Sequence, residues 1–166
     1  GLRENGGQYT HAAIWAAWGL LNIRENERGY GILRAMNPIY RSRSPRHSES
    51  YLVEPYYLAA DIYSAQSHLG RGGWTIYTGA AAWYYKVVLE NLIGYKEDKD
   101  GFYLLPSLCN SFDQFTMKID RHGTLYTVKC RSGEKNSFKL DGKIVNNRFI
   151  FDKRSHFLEI TVEKNS

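Results

Sequence analysis

The sequence has few cysteines and no long apolar run, and each scarcity excludes a class of protein. Its 166 residues include only two cysteines, Cys109 and Cys130, too few for a disulfide framework or a cysteine-rich zinc site. They favour a reducing compartment, although one disulfide between them stays open. No apolar run approaches the roughly 18 to 20 uncharged residues that a membrane-spanning helix needs. With 23% charged and 43% hydrophobic residues, the composition is typical of a globular protein and not of a disordered or collagen-like chain.

The start of the sequence also lacks two features. There is no initial methionine and no signal peptide, and densely patterned sequence begins within a few residues of Gly1. We therefore expect the chain to be the C-terminal part of a longer protein. A function that needs upstream residues would then be incomplete in this chain.

The positive charge is unevenly distributed. The chain has a formal net charge of +5, and residues 101–166 hold 11 Lys/Arg against seven Asp/Glu. Such an excess permits a polyanionic partner. However, these basic residues alternate with apolar ones, which is typical of the solvated face of β-strands; the alternating set comprises Lys118, Arg121, Lys129, Arg131, Lys139 and Lys143. We expect no nucleic-acid partner.

The first hundred residues carry helical patterns. Residues 10–23 are apolar on nearly every side, which predicts a helix buried all round, capped by Thr10 or a neighbour. Residues 26–36 predict an amphipathic helix that ends at Asn37-Pro38, because a residue before proline disfavours helical backbone. The other predictions are a polar loop over 40–50, a short helix over 56–63, a glycine-containing connection over 64–78 and a helix over 79–93.

After residue 101 the apolar period changes to two, which is typical of β-strands. His122-Gly123 and Asp141-Gly142 indicate hairpin turns. The predicted strands cover residues 115–120, 124–130, 137–140, 143–145, 149–151 and 157–162. We therefore expect an α+β chain with a helical part over 1–100 and a small antiparallel β module over 101–166.

Two stretches combine residue types that suit anion binding. In residues 4–11 a glycine pair precedes His11, which falls in the first turn of the predicted helix, where backbone N–H groups have no helical partner. In residues 68–80 a glycine-rich loop leads to Thr78 and Gly79 at the start of another helix, where the dipole favours an anion. The alternatives are a core histidine bonded to a carbonyl and a tight loop with a helix cap.

A third stretch, residues 51–61, contains two carboxylates. Seven residues separate Glu54 from Asp61, and on one helix they would share a face, as a pair for glycoside chemistry could. However, Pro55 places Glu54 before the helix, which favours a loop-fixing Glu54 and a surface Asp61. His47, His122 and His156 show no metal-ligand spacing.

Taken in order, these stretches resemble one family. They are Arg-Glu-Asn-Gly-Gly-Gln-Tyr-Thr-His-Ala-Ala over 3–13, Tyr-Leu-Val-Glu-Pro-Tyr-Tyr-Leu-Ala-Ala-Asp-Ile-Tyr over 51–63 and Gly-Arg-Gly-Gly-Trp-Thr-Ile-Tyr-Thr-Gly-Ala-Ala-Ala-Trp over 70–83. They resemble the C-terminal part of glycoside hydrolase family 94, the inverting glycoside phosphorylases. The likeness is strongest to the branch of cyclic β-1,2-glucan synthases and β-1,2-oligoglucan phosphorylases.

The resemblance implies a fold and a reaction. Residues 1–95 would be the last helices of an (α/α)6 barrel, and the rest the closing β module. Orthophosphate would attack a non-reducing-end β-glucosyl unit and release α-glucose 1-phosphate with inversion. Phosphate would be a co-substrate, with no cofactor and no metal.

The resemblance also implies residue roles. His11, Thr78 and Gly79 match the phosphate-binding positions, Arg3 falls where some members have a basic residue near the acceptor sugar, and Glu54 is a substrate-binding candidate. No residue matches the general-acid Asp motif, so we expect no catalytic residue in this chain and no turnover by it alone.

The remaining expectations concern partners and location. The partners would be a β-glucan oligosaccharide, phosphate and the upstream part of the same protein. The location would be cytoplasmic, either in a free protein or in the cytoplasmic part of an inner-membrane protein. This segment itself would not contact the membrane. Two other hypotheses stay open: a carbohydrate-binding or chain-length-sensing module without catalysis, and a polyanion binder that uses the basic β half.

Overall fold

The computed structural model describes residues 6–76 and 78–164, with Thr78 described by its backbone alone. The helices are α1 (Thr10–Asn22), α2 (Asn26–Met36), α3 (Pro38–Arg41), α4 (Pro45–Tyr51) and α5 (Thr78–Val87). A 3-10 turn spans Gln66–His68, and α5 continues as a π-helical turn, Val88–Leu92. The strands are β1 (Gln8–Tyr9), β2 (Asp61–Ile62), β3 (Gly72–Gly73), β4 (Tyr95–Glu97), β5 (Gly101–Leu104), β6 (Gln114–Arg121), β7 (Thr124–Gly133), β8 (Ser137–Leu140), β9 (Lys143–Val145), β10 (Arg148–Ile150) and β11 (Ser155–Glu163).

The chain forms two compact units. The first comprises Gly1–Leu20 and Arg28–Val87, and the second comprises Leu21–Glu27 and Val88–Ser166. The first unit therefore contains most of the helices and one small sheet, and the second contains the larger sheets.

Helix α1 is less enclosed than its sequence predicts. It buries a stripe that includes Ile14 and Ala17, but Trp15 is 51% exposed and Trp18 is 37% exposed. The prediction of a helix buried all round is therefore wrong for this chain. The physical reason is that an α-helix turns 100° per residue, so contacts on one side leave the apolar opposite side uncovered.

The predicted loop over 40–50 is partly helical. Asn37 and Ser44 each precede a proline, and their side-chain oxygens accept hydrogen bonds from the backbone N–H groups of Ile39 (2.9 Å) and His47 (3.4 Å). These are N-caps with proline at the first helical position, which begin helices α3 and α4. The prediction that α2 ends before Pro38 is confirmed.

The predicted helix over 56–63 is wrong. The chain makes a turn in which Tyr57 N–H donates to the Glu54 carbonyl (3.0 Å). Three consecutive residues, Leu58, Ala59 and Ala60, are then buried, and a continuous buried run suits an extended segment as well as a helix. This segment leads into β2, which pairs with β1 and β3 in an antiparallel three-stranded sheet.

The second unit contains two sheets. One has the order β10-β5-β4, and the other has the order β6-β7-β11-β8-β9. The sequence analysis did not predict β4 and β5. The expectation of a purely antiparallel module is also wrong, because β11 runs parallel to β7. The two predicted hairpin turns are confirmed: His122, Gly123, Asp141 and Gly142 all have positive φ, the backbone that two-residue hairpins favour.

The core of the second unit is aromatic at its centre. Phe102 is 0% exposed, and its ring centroid lies 5.1 Å from Tyr95, 5.0 Å from Tyr126 and 5.2 Å from Phe149. Cys109 and Cys130 are buried free thiols, and burial raises the pKa of the Cys130 thiol to about 12. Both are therefore packing residues with little thiolate character.

His156 is held between two carboxylates in this unit. Its Nδ1 lies 2.7 Å from Asp141 Oδ2 and its Nε2 lies 2.9 Å from Asp152 Oδ1. The ring stacks on Tyr126 with a centroid distance of 4.9 Å, and Arg154 pairs with Asp152. Both ring nitrogens must donate to satisfy both carboxylates, so this arrangement favours the imidazolium.

We expect the stability of the fold to decrease as pH rises past the histidine range. Burial lowers the pKa of His156, but the hydrogen bonds to Asp141 and Asp152 outweigh it and raise that pKa above its ordinary value. The folded state therefore binds the proton more tightly than the unfolded state. Its stabilisation is complete below about pH 6.5 and is lost as pH rises through the folded-state pKa.

The measurement is the free energy of urea unfolding between about pH 6 and pH 9, where carboxylates remain ionised. His156→Gln should flatten the fall in stability. The control His68→Gln, at an exposed histidine whose Nδ1 lies 2.9 Å from the Ser67 hydroxyl, should leave it unchanged. If the wild-type chain and His156→Gln show the same pH slope, the two carboxylates do not hold an imidazolium.

Candidate functional site

His11 lies at the junction of a strand and a helix. Strand β1 ends at Tyr9, helix α1 begins at Thr10, and the Thr10 N–H donates to the Ala60 carbonyl (2.9 Å). The side chain of His11 is therefore in the first turn of α1, as the sequence predicts. The three-stranded sheet fixes this turn because β1 pairs with β2, with Tyr9 opposite Asp61.

Aromatic rings surround the imidazole of His11. Its centroid lies 5.9 Å from Tyr9, 5.0 Å from Trp15 in an edge-on arrangement and 6.2 Å from Trp83. Trp83 also contacts Trp15 (5.7 Å) and Trp18 (5.5 Å). Helix α5 thus packs on the beginning of α1 through Trp83, and the rings restrict the orientation of His11.

Three polar atoms in this short segment are buried and have no hydrogen-bond partner among the described residues. They are Gln8 Nε2, Thr10 Oγ1 and His11 Nε2. Buried polar groups in proteins are nearly always hydrogen-bonded, and a buried group without a partner costs about 1–3 kcal/mol. A ligand with several oxygen atoms could satisfy them, since an amide and a hydroxyl both donate and an imidazole has one N–H when neutral.

The beginning of α5 has the predicted position and an open surface. Gly79 is exposed, and a Cβ added to it would meet no atom within 4 Å. Trp83 follows Gly79 by four residues, about 6 Å along a helix axis. At the start of an α-helix the first N–H groups have no helical partner and the dipole is positive, a combination that in general favours an anion.

Other residues predicted for the site have different surroundings. Glu54 is exposed at the turn before Tyr57, whereas Asp61 is buried in β2. The structure therefore does not bring these two carboxylates to one helix face, and the expectation of a surface Asp61 is also wrong. Arg3 and the side chain of Thr78 lie outside the described residues.

The sequence analysis missed three participants in this region. The sequence gives Gln8 only as part of a motif, predicts a cap at Thr10 or a neighbour, and predicts a helix position for Trp83. Thr10 does not cap α1 through its hydroxyl, because that oxygen has no partner in the described part of the chain. The alternation of Gln8 and Thr10 across the junction of β1 and α1 is the available signal for their common burial.

Two features are absent from the described ranges, residues 6–76 and 78–164. Within these ranges no group of three or more His, Cys, Asp or Glu side chains is arranged to hold a metal ion. In the same ranges, no helix combines the length and the apolar character needed to cross a bilayer.

Comparison with known families identifies the helical part of the sequence. Residues 1–94 match the family model described as "Glycosyl hydrolase 94 superfamily, catalytic domain". The chain belongs to the glycosyl hydrolase 94 superfamily. The match includes His11, Trp83 and both helix beginnings described above, whereas most of the second unit lies beyond it.

Two proteins that are similar to this chain in sequence are much longer than it. A cyclic beta-(1,2)-glucan synthase of Rhizobium meliloti is 36% identical over 82% of this chain, which corresponds to 5% of that protein. A cellobionic acid phosphorylase of Neurospora crassa is 26% identical over 80% of this chain, which corresponds to 17% of that protein. The chain therefore spans a small part of the length of either relative.

Proposed function

We propose that the first unit carries part of the phosphate-binding site of a β-glucan phosphorylase-type catalytic domain, in which His11, Thr78 and Gly79 bind orthophosphate. The observation that carries this proposal is the buried, unpartnered Nε2 of His11 in the first turn of α1. Membership of the superfamily supports it, because the matched residues contain all three positions.

The chemistry requires an anion to be held in line with a glycosidic bond. Phosphate is largely a dianion near neutral pH and a weak nucleophile unless it is positioned. Hydrogen bonds from the imidazole, the Thr78 hydroxyl and the N–H groups at the start of α5 would fix its oxygens without a metal. Gln8 and Thr10 would supply further hydrogen bonds to phosphate or to the sugar.

The proposed reaction is phosphorolysis with inversion. A phosphate oxygen forms a bond to the anomeric carbon while the glycosidic C–O bond breaks, which gives α-glucose 1-phosphate from a β-glucoside. The leaving oxygen takes a proton from a general acid on the opposite side of that bond. We propose that this acid belongs to an upstream part of the same protein, since no residue in this chain matches its motif.

The wider context is part of the same proposal. The first unit would contribute the last helices of an (α/α)6 barrel, and the exposure of Trp15 and Trp18 is compatible with neighbouring helices on that side. Arg3 and Glu54 would contact sugar. The protein would be a cyclic β-1,2-glucan synthase located in the cytoplasm or facing it from the inner membrane.

The experiment measures phosphate-dependent release of glucose 1-phosphate from β-1,2-glucooligosaccharides. We expect release by a longer protein that includes this segment and its upstream barrel, and none by the 166-residue chain. Release by the 166 residues alone would contradict the assignment of the acid to another segment. A longer protein that cleaves the glucan at the same rate without phosphate would contradict phosphorolysis itself.

A second function, a carbohydrate-binding or chain-length-sensing module, is favoured by exposed aromatic side chains on the first unit. Tyr56 and Tyr85, like Trp15, expose more than half of their surface, and such rings pack well on the apolar faces of sugars. Binding of the glucan by the chain, unaffected by phosphate and by His11→Ala, would favour this function over the phosphate site.

A further inference from the structure

The outer face of the five-stranded sheet in the second unit has a hollow of about 660 Å³, which we call the sheet hollow. It lies on strands β6, β7, β11 and β8, beyond the residues matched by the family model. Its charged and hydroxyl-bearing lining consists chiefly of Thr116, Lys129, Arg131, Lys139, Glu159 and Thr161.

Strand register explains why these side chains meet. Side chains alternate between the two faces of a sheet, so residues opposite each other on paired strands share a face. One row crosses the sheet as Gln114, Arg131, Thr161 and Ser137, and the next as Thr116, Lys129, Glu159 and Lys139. The same alternation sends Cys130, Ile160 and their neighbours into the core.

The hollow has an excess of positive charge. Lys129, Arg131 and Lys139 form no ion pair with any residue in the described part of the chain. Glu159 stands opposite both lysines in the register, but one carboxylate cannot balance three cations. The ammonium of Lys129 also lies 5.4 Å from the ring centroid of Phe157, an exposed aromatic that pairs with Thr127 in the next row of the same face.

We propose that the sheet hollow binds an acidic oligosaccharide, a short glycan chain that carries negatively charged groups. The three cations complement the negative groups. The hydroxyl and amide side chains between them, from Gln114, Thr116, Ser137 and Thr161, both donate and accept hydrogen bonds, as the hydroxyls of a sugar do. Phe157 adds an apolar surface for a sugar face. This site is separate from the proposed phosphate site and does not depend on it.

The size and composition of the hollow distinguish this ligand from other anions. A volume of about 660 Å³ is several times that of a single inorganic phosphate and suits a ligand of a few sugar units. Single-stranded nucleic acid is normally held by a series of stacking aromatic rings. Among the described residues that line the hollow, the one aromatic residue is Phe115, and the register places it opposite Cys130, on the core side of the sheet.

The experiment titrates the 166-residue chain into a fluorescently labelled hexamer of galacturonic acid and measures anisotropy. We expect saturable binding in dilute buffer that weakens strongly near 1 M salt, where the screening length is only about 3 Å. The double variant Lys129→Gln/Arg131→Gln should lower the affinity at least about tenfold, since hydrogen bonds to charged groups are among the stronger ones.

The matched control is Lys99→Gln/Lys143→Gln, which removes the same net charge from exposed lysines that do not line the hollow. We expect it to change the affinity less than about twofold, as screened surface charges do. If Lys129→Gln/Arg131→Gln lowers the affinity no more than this control does, the proposal is overturned. So would the absence of binding by the wild-type chain, equal binding of a neutral glucan hexamer, or equally tight binding of polyglutamate.

Discussion

His11→Ala is expected to lower kcat/KM for phosphate about a hundredfold or more in a longer protein that includes this segment, the effect typical of removing one positioned hydrogen-bond donor. The physical reason is the position of Nε2, which is buried, unpartnered and fixed between Tyr9, Trp15 and Trp83. Alanine would leave the rings in place but remove the donor. The loss should therefore concern phosphate and not the binding of the glucan.

The measurement is the initial rate of glucose 1-phosphate release as phosphate and glucan are varied separately. The matched control is His47→Ala, an exposed histidine in α4 of the same unit, which should leave both dependences unchanged. His11→Asn, which retains an N–H donor, should recover part of the rate. If His11→Ala has the phosphate dependence of the wild-type protein, His11 is not part of the phosphate site, and its burial is a feature of packing alone.

Phe102→Ala is expected to destabilise the second unit by about 3–5 kcal/mol, the usual cost of truncating a fully buried aromatic side chain. Phe102 is 0% exposed and its ring contacts those of Tyr95, Tyr126, Phe149 and Phe151. Removing it would leave a cavity among rigid rings that cannot easily close. Since whole domains are stable by about 5–15 kcal/mol, this loss is a large part of the total.

The adjacent residue offers a matched control. Tyr103 belongs to the same strand, but it points to the other face and is 43% exposed. Tyr103→Ala should therefore cost about 1 kcal/mol or less, although it loses the contact between Arg148 and the ring. The free energy of unfolding of each variant is measured by urea unfolding, monitored by circular dichroism. Equal losses for the two variants would contradict the placement of Phe102 at the centre of the core.

Turns and helix ends were the features that could be predicted best from the sequence. Asn37-Pro38 ends α2, and the glycines after His122 and Asp141 make hairpin turns, because local backbone preferences decide these conformations. The predicted helix over 56–63 was wrong for the opposite reason. Its buried run is compatible with either backbone, and pairing of β2 with β1 and β3 decides in favour of the strand.

His11 and His156 show the same difference between local features, which the sequence predicts, and long-range contacts, which it does not. His11 was predicted from a motif, because a glycine pair and a helix beginning are local features. His156 was not singled out, because its carboxylate partners come from a turn 15 residues earlier and a loop four residues earlier. Only the folding of β8, β9 and β11 brings these groups together.

The sequence by itself determined the superfamily, the helical first part, the change to strands and the position of His11 at a helix start, since each depends on motifs or short-range periodicity. Only the tertiary structure decided the parallel pairing of β7 and β11, the buried polar atoms beside His11 and the basic rows of the sheet hollow. These depend on contacts between residues far apart in the chain. Many pairings are compatible with the same local pattern, and the packing energy of the whole unit selects one of them.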